Sequence, residues 1–267
     1  MDNREVQSAS LYLAKKFGFV PRSVVWEFIS PVGRTARYKH WRLLQSSPLF
    51  SPYILGSGFP EYLILSQAGR KYVGEEAVTE VPTVYLAHDE IVMRFYCHLQ
   101  KMTIMEQAWS ENELKMDRVL AIKGLGDGVI GKLPDLLFDL KMEKSFLRCA
   151  LEIERTRKSL GRYQTMRRSY QRAANVDLII FGVADEKIEA IIRKEVAEAG
   201  LDAFGKEIGF FDLVDFEDRK FQAPLRIAGR ELSLERFFIS LTKTIPDSAD
   251  SARHGVRAEL EEGGEAA

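Results

Sequence analysis

The 267-residue chain has few residues that would build a disulfide framework or hold a soft metal. It contains two cysteines and four histidines, which argues against a zinc site and against a disulfide network. Cys97 and Cys149 lie in apolar segments, so we expect buried thiols in a reducing, cytoplasmic environment. No apolar run approaches the ~20 residues that span a bilayer, and the polar opening MDNREVQSAS lacks the pattern of a secretory signal. We therefore expect neither a membrane partner nor export.

The net charge of −1 comes from nearly equal numbers of basic and acidic residues, 38 and 39, which are distributed unevenly. Two segments contain several cations and no acid, RTARYKHWRLLQSS at 34–47 and RTRKSLGRYQTMRRSYQR at 155–172. Cations gathered on a helix suit the phosphates of a nucleic acid. The charge pattern therefore predicts a nucleic acid, DNA in particular, as the partner, and it indicates no small-molecule cofactor.

Apolar periodicity in the first third predicts three helices followed by a hairpin. The helices cover 4–17, ending at Gly18, then the residues after Pro21, then 34–47. The stretch YILGSGFPEYLILS predicts two strands around a Gly-Ser-Gly turn, and SQAGRKYVG predicts a closing helix. This order resembles a winged helix-turn-helix, in which the third helix enters the major groove and the hairpin forms the wing.

The third helix supplies the first candidates for DNA contact. A core face is expected from Ala36, Trp41, Leu43 and Leu44, which leaves as candidates Arg34, Arg37, Tyr38, Lys39 and Arg42. The cations would meet phosphates, while Tyr38, Thr35 and His40 offer groups that reach base edges. The alternative is a solvated basic helix in a helical domain that binds no DNA.

Composition divides the chain into four segments. We expect a winged-helix domain at 1–76, a linker at 77–86, a second domain at 87–245 and a disordered tail at 246–267 that lacks core-forming residues. The second domain starts with the amphipathic helix HDEIVMRFYCHLQKM and a short strand. The glycine-rich run that ends at Lys132 does not fit a phosphate-binding loop, because Pro134 and a strand follow it instead of a helix. We expect the whole segment that contains this run, SENELKMDRVLAIKGLGDGVIGK at 110–132, to be irregular.

Acidic residues interrupt two strands of the second domain, in LPDLLFDLKMEKSFLRCALEIERTRKS at 133–159. The short turn makes the strands antiparallel neighbours, and alternation of side chains then brings Asp135 close to Glu152 and Glu154. Like charges gathered in this way need a cation between them. Oxygen ligands suit Mg²⁺ or Mn²⁺. The sequence therefore predicts a metal site formed by Asp135, Glu152 and Glu154.

The order helix, three strands, helix and strand, with Pro134-Asp135 followed by Glu152-x-Glu154, resembles the PD-(D/E)xK nucleases and their restriction-endonuclease-like αβββαβ core. With a winged helix in front and a basic helix behind, the chain looks like the replication-relaxation family, which is associated with plasmids and other mobile elements. The resemblance implies a mixed α/β (α+β) fold and a metal-dependent site. The implied catalytic residues are Asp135, Glu152, Glu154 and Lys158, and the implied DNA contacts are Arg155, Arg157, Arg162, Arg167 and Arg168.

One position departs from the family pattern. The lysine that polarises the attacking water is replaced by Glu154. Activity would then depend on a second metal at Glu154, on Lys158 reaching back from the first turn of the basic helix, or on Arg155 stabilising the phosphate. Glu90 is a further candidate ligand from the preceding helix.

Several readings therefore stay open. The chain is expected to be a DNA-binding protein that cuts or nicks DNA with Mg²⁺ or Mn²⁺, or an inactive nuclease-like regulator or replication accessory protein. A third reading makes the acids an ordinary ion-pair cluster, with Glu152 bonded to Arg148, Arg155 or Arg157, and a fourth is a protein-interaction scaffold. The sequence also leaves open whether the chain forms a homodimer.

Overall fold

The computed structural model describes residues 2–31, 33–53, 62–74, 83–126, 131–142, 145–200 and 205–243. The predicted tip of the hairpin, most of the predicted linker and the tail at 246–267 lie outside these residues. By contacts the chain divides into two units, Met1–His98 with Trp109–Met116, and Leu99–Ala108 with Asp117–Ala267. Within the described ranges, none of the helices combines the length and the apolar composition needed to cross a membrane.

The first unit begins with four helices and three short strands. In chain order these are α1 (Asn3–Phe17), β1 (Phe19–Pro21), α2 (Arg22–Val24), α3 (Arg34–Ser46), β2 (Phe50–Tyr53), β3 (Tyr62–Leu65) and α4 (Gln67–Val73). A π-helical segment, Val25–Ile29, continues α2. Asp2 and Glu5 form a capping box at the start of α1, and Gly18 ends that helix with φ 86°. The predicted helices are therefore confirmed, whereas the sequence did not predict β1.

The small sheet has the strand order β1-β3-β2, and both pairings are antiparallel. Its core includes Val6, Phe19, Trp41, Leu44 and Leu63, each of which is nearly inaccessible to solvent. Two more helices follow, α5 (Leu86–Lys101) and α6 (Glu111–Met116). The sequence analysis assigned α5 to the second domain, but by its contacts this helix belongs to the first unit as far as His98.

The larger sheet, over the described residues, has the strand order β10-β9-β8-β7-β6-β5-β4. Its strands are β4 (Met105–Ser110), β5 (Leu136–Lys141), β6 (Phe146–Glu154), β7 (Leu178–Val183), β8 (Glu207–Asp212), β9 (Pro224–Ile227) and β10 (Arg230–Ser233). β6 pairs antiparallel with β5 and parallel with β7, and β7 is also parallel to β8. The coarse prediction of a mixed α/β (α+β) fold is confirmed.

Helices connect and cover these strands. They are α7 (Arg118–Leu125), α8 (Leu160–Arg172), α9 (Glu186–Ala199), α10 (Leu213–Arg219) and α11 (Leu234–Lys243). α9 packs on α8 and β7, and α11 packs on β9 and β10. Both faces of β7 are buried, as expected for its nearly continuous apolar sequence.

Three local predictions beyond residue 109 were wrong. The segment before Lys132 is helical at α6 and α7 rather than irregular, because Asp117 caps α7 by accepting a hydrogen bond from the N–H of Leu120. The apolar pattern of IGFFDLVDF, at 208–216, predicts a single strand, but the strand ends at Asp212, whose side chain caps α10. The sequence also predicts Thr156 as the cap of the basic helix, but that helix begins after Ser159.

Candidate functional site

The α3 helix has an outer face that is basic. Arg34, Lys39 and Arg42 are exposed and Arg37 is half-buried. Among the residues that the structure describes, none of these four cations forms an ion pair with a carboxylate. The Arg34 guanidinium lies 5.8 Å from the centre of the Tyr38 ring, and Tyr38 contacts Trp26 edge to face with the ring centres 5.0 Å apart. The outer face therefore presents positive charge that no described acid of the chain neutralises.

The inner face of α3 corrects one prediction. His40 is buried, and its Nδ1 lies 2.8 Å from Ser30 Oγ. Trp41 and Leu44 are buried beside it, as predicted. Because His40 is bonded within the core, it is not available to base edges. Its role is to hold α3 against the segment that precedes it.

The strand register brings Asp135 and Glu152 together. Leu136 of β5 is opposite Leu151 of β6. Because the strands are antiparallel, Asp135, which precedes Leu136, lies beside Glu152, which follows Leu151. The N–H of Asp135 donates to the carbonyl of Leu151 at 3.1 Å, and Asp135 Oδ2 accepts from the N–H of Ile153 at 2.7 Å. Asp135 is 8% exposed and Glu152 is 0% exposed. We call these two acids the carboxylate pair.

Lys132 supplies the cation that the carboxylate pair needs. Its Nζ lies 3.5 Å from Asp135 Oδ1 and forms an ion pair with Glu152 Oε2. Lys132 is not among the site residues predicted from the sequence. Its position three residues before Asp135 could have indicated this role, but the glycine-rich run before it gave no predictable backbone conformation.

Tyr170 completes the surroundings of Glu152. Its hydroxyl donates to Glu152 Oε1 at 2.6 Å, and both residues are buried. Tyr170 lies on the inner face of α8 together with Tyr163 and Met166. The buried face of the basic helix therefore reaches the carboxylate pair through Tyr170.

Glu154 has its own cation. Lys158 Nζ lies 2.6 Å from Glu154 Oε1, so the predicted reach of Lys158 is present, although Lys158 precedes α8 instead of lying in its first turn. Glu154 is 0% exposed, and its Oε2 has no hydrogen-bond partner among the described residues. The N–H of Lys158 donates to the hydroxyl of Tyr163 at 3.2 Å, and burial raises the pKa of that tyrosine.

Asp139, a further acid of the hairpin, has a structural role. Asp139 pairs with Arg148, which stands opposite it in the register. Arg148 also donates to the carbonyls of Lys123 and Gly124. Arg148 is therefore bonded to Asp139, and the alternative in which it pairs with Glu152 is wrong.

The basic segment after β6 divides into two groups. Arg155, Arg157, Arg162 and Arg168 are exposed. Arg167 instead lies 3.2 Å from Glu195 and 3.3 Å from Glu198 of α9. Glu90, the further candidate ligand, belongs to the first unit, where it accepts hydrogen bonds from Ser23, Tyr62 and Arg94. Arg167 and Glu90 are thus bonded in ways that the sequence analysis did not predict.

The carboxylate pair fits a small divalent ion better than the predicted set of three acids does. Across the described ranges, no three His, Cys, Asp or Glu side chains are grouped so that they could hold one metal. Mg²⁺, however, is commonly bound through one or two carboxylates together with water and substrate phosphate. The ammonium of Lys132 contacts both Asp135 and Glu152, so a positive charge lies at this position. Glu154 does not join that pair.

Comparison with protein-family models, with curated proteins and with solved structures finds no match to this chain.

Proposed function

We propose that the chain is a DNA-binding protein of the replication-relaxation type, with a winged helix-turn-helix in the first unit and a restriction-endonuclease-like domain in the second. The observation that carries the proposal is the unneutralised basic face of α3, which stands between a short helix and a strand hairpin. In the second unit, Asp135, Glu152 and the basic segment after β6 follow each other in the order found in PD-(D/E)xK nucleases, which also supports the proposal.

The order of elements supports the winged helix. The first unit runs α1-β1-α2-α3-β2-β3, and β3 lies between β1 and β2 in the sheet. In a winged helix the last two strands form the wing, and the helix before them reads the major groove. By this reading α3 contacts DNA through Arg34, Lys39 and Arg42, with Tyr38 at base edges and Arg37 closer to the core.

The order of the second unit supports the nuclease-like core. α5, which belongs to the first unit as far as His98, precedes β4, and α6 and α7 separate β4 from β5. After β5 and β6, α8 crosses over to β7, which is parallel to β6. The carboxylate pair lies at the end of β6 where α8 begins. The exposed cations Arg155, Arg157, Arg162 and Arg168 would hold the DNA backbone beside that end.

Two catalytic outcomes remain distinct. In the first, Asp135 and Glu152 hold Mg²⁺ or Mn²⁺, which would supply positive charge to the scissile phosphate and activate water. The chain's own residues then orient these ligands, through Tyr170 and the N–H of Ile153. In the second, the domain only grips DNA as a regulator or replication accessory protein. The pairing of Glu154 with Lys158, where a nuclease has a free lysine, favours this second outcome.

DNA binding is tested by removing two exposed cations of α3. We expect the double variant Lys39→Ala/Arg42→Ala to bind duplex DNA more weakly for every sequence. We expect the slope of log K against log salt concentration to fall by about 2, since each lost phosphate contact removes about 1. The control Lys187→Ala/Lys194→Ala removes the same charge from exposed positions of α9. Equal binding by both double variants would contradict the winged-helix assignment.

Cleavage is tested with supercoiled plasmid and Mg²⁺ or Mn²⁺. Relaxed or linear product that is lost in both Asp135→Ala and Glu152→Ala supports a nuclease. DNA binding without product in either metal supports the regulator.

A further inference from the structure

We propose that Lys132 is a built-in competitor for the metal position, so that its ammonium holds the carboxylate pair closed until a divalent ion displaces it. This inference deepens the proposed function and rests on the nuclease-like reading of the second unit. It names the group that regulates the site.

The negative charge of the carboxylate pair requires a cation beside it. Asp135 and Glu152 are adjacent across the hairpin and almost inaccessible to water. Two buried like charges destabilise a fold unless a cation lies between them. Lys132 forms an ion pair with each of the two acids. One ammonium therefore serves both carboxylates.

The backbone of Lys132 is fixed in place. Its N–H donates to Ser169 Oγ at 3.1 Å, and that hydroxyl donates in turn to the carbonyl of Thr165 on α8. Gly131 has φ +128°, and a Cβ at this position would come within 3.1 Å of Ser169 Oγ and 3.3 Å of Thr165 Cγ2. A glycine therefore permits the close approach of the chain to α8 that places Lys132 beside the acids.

The side chain of Lys132 keeps a route out of the site. It is 20% exposed, whereas the Glu152 side chain is 0% exposed. A lysine head group on four methylenes can swing to solvent while its backbone stays bonded. Displacement by a divalent ion thus needs rotation of one side chain and no change in the hairpin.

Competition follows from the shared oxygens. A divalent ion bound to Asp135 and Glu152 would use the same oxygen atoms that contact Nζ, so the ammonium and the metal exclude each other. Removal of the ammonium should therefore strengthen metal binding, whereas removal of an ordinary structural ion pair beside a metal site would weaken it.

The test is a calorimetric titration of Mn²⁺ into the full chain without DNA, so its result does not depend on the winged-helix assignment. We expect Lys132→Ala to bind Mn²⁺ at least about tenfold more tightly than the wild type, given the strength of an ion pair at such distances. Lys132→Arg, which keeps the charge, should bind as weakly as the wild type. Lys141→Ala, an exposed lysine at the end of β5, is the matched control and should also match the wild type.

Thermal unfolding keeps the test decisive if Lys132→Ala folds poorly. We expect Mn²⁺ to raise the melting temperature of this variant more than that of the wild type. When Glu152→Gln is introduced into either protein, Mn²⁺ should no longer raise its melting temperature. The proposal is overturned if Lys132→Ala binds Mn²⁺ no more tightly than the wild type and gains no thermal stability from it. It is also overturned if Lys132→Arg behaves like Lys132→Ala.

Discussion

Asp139 and Arg148 face each other across the β5–β6 hairpin and form a two-point ion pair in the interior. Arg148 Nε lies 2.7 Å from Asp139 Oδ1, and its Nη2 lies 2.8 Å from Oδ2. Gln107 donates to Asp139 Oδ2 as well. The cation that pairs with Asp139 is therefore buried, whereas Lys132, which pairs with the two acids at the other end of the hairpin, is partly exposed.

Replacement of Asp139 by alanine should destabilise the chain strongly. The change leaves a buried guanidinium without its carboxylate, which costs about 3–5 kcal/mol. The measurement is urea unfolding followed by circular dichroism. Asp215→Ala removes the acid of a more exposed pair with Arg219 and should cost less than about 1 kcal/mol. Similar losses in both variants would show that the Asp139 pair is not buried in solution.

Replacing the arginines of α8 should affect DNA binding or stability, depending on whether the arginine is exposed or paired with an acid. Arg162→Ala/Arg168→Ala removes two exposed charges and should weaken DNA binding, with a salt slope reduced by about 2. Arg167→Ala should leave DNA affinity unchanged and lower the free energy of unfolding by about 1–3 kcal/mol, because it strands the buried Glu195. A loss of DNA affinity in Arg167→Ala comparable to that of the double variant would refute this separation.

Glu189 should contribute stability that disappears in acid. Burial alone would raise its pKa, but hydrogen bonds from Arg226 and Arg193 outweigh burial and lower the pKa below its ordinary value of 4.5. A group with a lowered folded pKa stabilises the native state above its unfolded pKa, and that contribution is lost as the pH falls through the folded pKa. Glu189→Gln should therefore melt below the wild type at pH 7, by an amount that shrinks below about pH 4.5.

The control for this prediction is Glu217→Gln, which changes an exposed residue of α10. Melting temperatures measured from pH 7 to pH 3 give the comparison. A constant difference between Glu189→Gln and the wild type over that range would rule out the lowered pKa.

Two glycines should respond to alanine in opposite directions. A Cβ at Gly69 would overlap the carbonyl oxygen of Leu49, a backbone atom that cannot move aside easily, so Gly69→Ala should cost about 1–3 kcal/mol. Gly161 lies in the first turn of α8 with open space around its Cβ position, so Gly161→Ala should stabilise by about 0.5–1 kcal/mol. Chemical unfolding measures the stability change of each variant. A gain in stability for both variants would contradict the packing described at Gly69.

Elements with clear end signals were predictable from sequence. α1 has apolar residues on one face and Gly18 at its end, and α3 has a Gly before it and a buried stripe through Trp41 and Leu44. The hairpin was predictable for a different reason. Alternation along β5 and β6 admits few registers, and the observed one places Asp135 beside Glu152.

The other parts depend on contacts that leave no local pattern. β1 spans three residues, too few to show alternation, and is defined by its pairing with β3. Tyr170 reaches Glu152 across the packing of a helix on a sheet, which no spacing along the chain encodes. Lys132 depends on the left-handed backbone of Gly131 and on Ser169. The sequence around His40 does not show whether its side chain is buried or exposed. Its burial depends on the contact with Ser30, which the sequence does not reveal.

β5 and β6 are neighbours in the chain, and hairpins of this kind close in about 1–10 μs. β7 adds to the other edge of β6 only after the polypeptide has crossed over through α8, and closing that longer loop is slower. From these time scales we expect Asp135 and Glu152 to meet while they are still hydrated, before α8 brings Tyr170 to Glu152. Docking of α8 would then be the folding step that removes water from the two acids.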